Sequence, residues 1–143
     1  MSVIDNAIAR LQDLALAIPS SDVVIRSAPD YPVESAGVLP LAIAHMVDGS
    51  LIATNATVTH LFPTVAVDFH FNRADLKKAY QDIDATIPAY GLRLSGDPTL
   101  NGTVDSIVFP VTFNVSAQQW NTVDTIMLRF SIPLKTLETP IST

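Results

Sequence analysis

The chain has 143 residues and no cysteine, enough for one domain with a sizeable core and none of the chemistry of disulfides, thiolates or cysteine-bound metal. It carries a net charge of −6, and its eight basic residues (Arg10, Arg26, Arg73, Lys77, Lys78, Arg93, Arg129 and Lys135) are scattered, which argues against a phosphate-tracking nucleic-acid surface. Charged residues are 15% of the chain and hydrophobic residues 48%; an average soluble domain has about 25% charged, so part of the surface is expected to be covered by other subunits.

Arg10 and Asp13 interrupt the apolar N-terminal stretch, and no run approaches the roughly 20 apolar residues of a membrane span. No leader and no membrane partner are expected. Residues 3–18 predict an amphipathic helix, with Ile4, Ala7, Ile8, Leu11, Leu14, Ala15 and Ile18 at three- and four-residue spacing. Ser2 is placed to cap it, and Pro19 stops it. Residues 19–38, with Pro19, Pro29 and Pro32, read as an extended arm or loop. There Tyr31, preceding a proline, is held away from the α region.

Residues 39–46 read as a strand apolar on both faces, and Asp48-Gly49 as a turn. Residues 51–61 are strand-like but polar, which points to an edge or an intersubunit sheet. Residues 64–71 alternate strictly: Val65, Val67, Phe69 and Phe71 on one face, Ala66, Asp68 and His70 on the other. Asn72-Arg-Ala-Asp75 then resembles a capping box. The helix it opens has Leu76, Ala79, Tyr80, Ile83 and Ile87 as its buried stripe and ends near Pro88.

Residues 91–105 read as a long loop with turn signals at Asp97-Pro98 and Asn101-Gly102. Unstructured connections of about 12–15 residues are uncommon in compact domains and are usually functional or disordered. A strand over 106–115 would place Ile107, Phe109, Val111, Phe113 and Val115 on one face, with Pro110 marking an edge or bulge. A second strand over 124–134 places Ile126, Leu128, Phe130, Ile132 and Leu134 together, opposite Thr125, Arg129, Ser131 and Lys135. The tail, 136–143, reads as extended. The expectation is one α+β domain over 1–143: a mostly antiparallel sheet of about five strands, with two main helices packed on one face.

The chemistry-bearing residues do not converge. His45, His60 and His70 fall in different strands. Asp68 and His70 share a face, but a metal site needs three or four ligands, and His60 would have to come from the neighbouring strand. No nucleophile elbow, zinc-protease motif or phosphate-binding glycine loop is present. Asp82 and Asp84 are two apart on a helix and point different ways. The phenylalanines at 69, 71, 109, 113 and 130 fall on expected core faces, which leaves no aromatic platform for single-stranded nucleic acid. No catalytic residue, cofactor or metal is expected.

Val65–Tyr80 (Val-Ala-Val-Asp-Phe-His-Phe-Asn-Arg-Ala-Asp-Leu-Lys-Lys-Ala-Tyr), Gly96–Asp105 (Gly-Asp-Pro-Thr-Leu-Asn-Gly-Thr-Val-Asp) and the closing strand resemble the tail terminator, or tail completion, proteins of long-tailed bacteriophages. The order of elements is also similar, as is the Asp-Tyr-Pro arm; Asn101 stands where the pattern favours glycine or another small residue. The resemblance implies a virion protein of the tail and neck, made in the host cytoplasm. It would form a ring, usually of six copies, that ends the tail tube and meets the head connector or head-closure protein. DNA would pass the lumen without specific binding. Asp97, Pro98, Thr99, Leu100, Asn101 and Gly102 are then the expected contact loop, with Asp68, His70, Arg129 and Lys135 as a second subunit-contact face. Two alternatives stand beside it: another neck protein, head-closure or connector-adaptor, and a small monomeric non-viral ligand-binding domain.

Overall fold

The structure is a computed structural model that describes residues 3–16, 40–53, 58–120, 123–136 and 139–140. Helix α1 (Val3–Leu16) is followed by strands β1 (Leu41–Ala53) and β2 (Val58–Asn72), helix α2 (Leu76–Ser95), and strands β3 (Ser106–Ile107), β4 (Thr112–Trp120), β5 (Val123–Lys135) and β6 (Thr139–Pro140). The class is α+β, as expected. Four long strands lie in the order β1-β2-β5-β4, every neighbouring pair antiparallel. The short β3 adds to β5 at Leu134 and Lys135, and β6 adds to β2 at Val58 and Thr59.

The alternation in β2 and β5 builds the core. Val65, Val67, Phe69 and Phe71 lie beside Ile126, Leu128, Phe130 and Ile132 on the face that both helices cover. Ala7, Leu11, Leu14 and Ala15 of α1 and Ala79, Ile83, Tyr90 and Leu94 of α2 pack onto it. Burying each large apolar side chain contributes about 1.5–3 kcal/mol. At the centre Tyr90 meets Phe69 and Phe130 edge-on, with ring centroids 5.1 and 5.0 Å apart. Its hydroxyl donates to the Leu11 carbonyl at 3.0 Å and so fastens α2 to α1. A buried phenol needs such an acceptor.

Several expectations are corrected. Asp48-Gly49 is not a turn: β1 runs through it, with a shift in register between Met46 and Asp48, as a β-bulge produces. Gly49 lies close over β2, where a Cβ would come 3.2 Å from the Pro63 Cα and 3.3 Å from the Phe62 carbonyl oxygen. The described residues of the expected segments 39–46, 51–61 and 64–71, Pro40 aside, thus fall in two long strands, β1 and β2, paired antiparallel with each other. The α2 cap is Asp75, which accepts from the Lys78 N–H at 3.1 Å; Asn72 instead accepts from the Ala74 N–H at 2.9 Å. Leu76 and Tyr80 are exposed, and the buried stripe runs through Ala79, Asp82, Ile83, Thr86, Tyr90 and Leu94. The helix passes Pro88 and reaches Ser95, so the connection to β3 spans only 96–105. The expected strand over 106–115 is two strands separated by a segment containing Pro110. The arm over 19–38, with Ser2 and Ile18, lies outside the described residues.

Candidate interaction surfaces

The 96–105 connection is a compact plug. The Asp97 carboxylate accepts from the Asn101 N–H at 2.8 Å and pairs with the Arg10 Nε of α1 at 2.8 Å. Ile107 N–H donates to the Pro98 carbonyl at 2.7 Å, and Val104 N–H to that of Thr99 at 3.2 Å. Leu100, Asn101 and Gly102 all have positive φ (49°, 58° and 80°). Asparagine and glycine accept that region readily; leucine does not. Leu100 is held there with its side chain fully buried in the core. It is therefore an anchor, and Pro98, Thr99, Asn101 and Gly102 are the exposed residues of the expected contact loop.

The face of the sheet away from the helices carries the polar group. Asp68 sits directly opposite Arg129. The Arg129 Nε donates to Asp68 Oδ1 at 2.7 Å and a terminal guanidinium nitrogen to Oδ2 at 2.9 Å, a two-pronged pair. The imidazole brought to Asp68 is that of His45, with Nε2 3.0 Å from Oδ2. His70 lies next along β2, its Nδ1 3.0 Å from the Thr125 hydroxyl. Burial acts to raise the Asp68 pKa, but the hydrogen bonds from His45 and Arg129 outweigh it and hold the carboxyl below its usual value. The bond to Asp68 raises that of Arg129. Burial pushes His70 down; Asp68 opposes and the Arg129 and His45 charges reinforce it.

Asp68, His70 and Arg129 thus come together as the sequence pattern allows. Lys135 does not join them: it stands six residues further along β5, its Nζ 3.3 Å from Asp105. Asp68 and His70 are buried within this chain, and Arg129 and Lys135 are partly exposed. The sequence does not reveal His45 as the partner, because only the register between β1 and β2 brings it to Asp68. Among the described residues no group of three or more His, Asp or Glu side chains is placed to hold a metal ion. No described helix is long and apolar enough to cross a membrane.

The surface that sequence reasoning missed is apolar. Phe109 and Phe113, expected in the core, are half exposed, as are Val108 and Val115. Phe113 and Val115 belong to β4, which has β5 on one side and no other described strand, and Val108 and Phe109 lie in the segment between β3 and β4. With Ile87, Gly91, Leu94 and Phe130, the segment from Phe109 to Phe113 encloses a cleft of about 430 Å3 beside α2. At the opposite edge, β1 exposes Met46, Val47, Leu51 and Ile52. A signal for the first edge is present in the sequence: not one charged residue occurs from Ser106 to Val123. Exposed edge strands usually carry charges that deter pairing. Comparison with known protein families finds no matching family model, and comparison with curated proteins finds no match.

Proposed function

We propose that the chain is a structural virion protein, the terminator that closes the head-proximal end of a phage tail tube as a ring of its own copies. One observation carries the reading: among the described residues no strand pairs with the outer side of β1 or of β4, and these two opposite edges each expose apolar side chains. Two different patches at opposite ends of a subunit suit a head-to-tail contact, and such contacts close into rings when the rotation permits. A low charge content suits a subunit whose surfaces become interface cores. The resemblance of Val65–Tyr80 and of the Gly96–Asp105 loop to tail terminators supplies the partners: tail tube protein on one side and the head connector on the other. The protein acts by shape and contact and carries no catalysis. Its net charge of −6 would let DNA pass the lumen without adhering.

Adding the purified protein to polymerising tail tube protein tests this. The expected result is tubes whose mean length falls as the dose rises, with a ring visible at one end in negative stain. Tubes of unchanged length without a terminal ring would reject it. Loss of a head-closure or adaptor protein, in contrast, leaves tube length as it was.

A further inference from the structure

We infer that the cleft between α2 and the Phe109–Phe113 segment receives the apolar Met46–Ile52 segment of a second copy of this chain. The inference rests on the ring reading above and names the surfaces that make its subunit contact. Three observations choose this occupant. First, the patches match in chemistry. The cleft is walled by Ile87, Leu94, Phe109, Phe113 and Phe130, and the opposite edge offers Met46, Val47 and Leu51 around a single acid, Asp48. A charged partner would find no charged complement between Ser106 and Val123.

Second, the patches stand on the same face. Phe113 and Val115 pair with Phe130 and Leu128 of the core-facing set. Leu51 pairs with Leu61, two residues from Pro63 and four from core Val65 along β2, and strand alternation puts all of these on the helix side. Two copies set side by side with their sheets continuous would bring Leu51 to Phe113 without either rotating to its other face.

Third, the strand directions agree. Across β1-β2-β5-β4 each neighbour is antiparallel, so the two outer strands run opposite ways. A head-to-tail neighbour therefore presents its β1 antiparallel to β4, the pairing that antiparallel ladders use. Placing the same copies groove to groove would instead leave both β1 patches exposed.

The test uses two charge insertions at exposed positions, Phe113→Asp in the acceptor and Leu51→Asp in the donor, with Leu76→Asp on exposed α2 as a control. Thermal melts confirm that each folds. Association is read by native mass spectrometry and sedimentation, with and without tail tube protein. Each site variant is expected to weaken association roughly 30-fold or more, and the control to assemble like the wild type. An equimolar mixture of the two site variants is expected to give a heterodimer and stop there, because one intact acceptor meets one intact donor and both remaining patches are blocked. Site variants that assemble like the wild type would overturn the contact and leave the ring standing. A mixture that stays monomeric would also overturn the contact. A wild type that stays monomeric even beside tail tube protein would overturn both.

Discussion

Phe113 and Phe130 face each other across β4 and β5 with ring centroids 6.0 Å apart, yet Phe130 is 3% exposed and Phe113 52%. Phe130 packs against Tyr90 of α2, whereas Phe113 lines the open cleft beside that helix, so the same apolar face is core at one ring and open at the next. The two residues should separate stability from assembly. Phe130→Ala is expected to cost about 3–5 kcal/mol of folding free energy by urea unfolding, the range for a buried aromatic. Phe113→Ala should stay within about 1 kcal/mol, because an exposed ring has little burial to lose. Equal losses would show that Phe113 is core in solution.

The Asp68–Arg129 pair should behave as a buried structural link. Arg129→Leu leaves Asp68, 4% exposed, with His45 as its remaining side-chain partner among the described residues. Breaking a buried pair on one side costs about 3–5 kcal/mol; the partly exposed Arg129 places this near the lower figure. Replacing both residues with leucine is expected to cost less than Arg129→Leu alone, since no uncompensated charge remains. A double variant as unstable as the sum of the singles would contradict that coupling.

Acid should weaken the fold in two steps. The folded pKa of His70 lies below its usual 6.5, so the neutral form is favoured and stability falls as pH drops below that value. The folded pKa of Asp68 lies below its usual 3.8, so its contribution is full above that value and is lost as pH falls through the lower, folded one. Melting temperature followed against pH should therefore begin to decline just under 6.5. His70→Gln should remove this first step and keep the second. A melting temperature that rises on acidification from neutral pH would reverse the sign.

The Asp97 plug predicts an ordered series. Leu100→Ala removes a buried side chain and should cost about 2–5 kcal/mol. Asn101→Gly should be near neutral, whereas Asn101→Val should cost about 1–2 kcal/mol, because a β-branched residue resists positive φ. Arg10→Ala removes a partly exposed ion pair worth about 0.2–1 kcal/mol. Asp97→Ala should cost more than Arg10→Ala, since it also frees the Asn101 N–H. Denaturant midpoints measured on these variants check the order.

The strands with strict alternation are legible in the sequence itself, because Val65–Phe71 and Ile126–Leu134 have one apolar face and period two. Helix α2 is harder. Its buried stripe includes Asp82 and Thr86, which the sequence presents as polar. The Thr86 hydroxyl is satisfied by the Asp82 carbonyl at 2.7 Å, and the Asp82 carboxylate pairs with Lys78 at 3.2 Å, so burial is tolerated. Pro88 reads as a stop, yet the burial of Tyr90 and Leu94 holds the helix beyond it. The alternation that marks Phe109 and Phe113 as core is a correct period without a partner layer: sequence shows which face is apolar, not how far the helices extend over it. The His45–Asp68 contact depends on strand register across 23 positions, which no local pattern encodes.

Native mass spectrometry of the purified protein, alone and after incubation with tail tube protein, tests the central claim most directly. A single closed assembly of identical copies, formed alone or on the tube end, is the predicted result. A monomer in both samples, with no capped tubes, would contradict it.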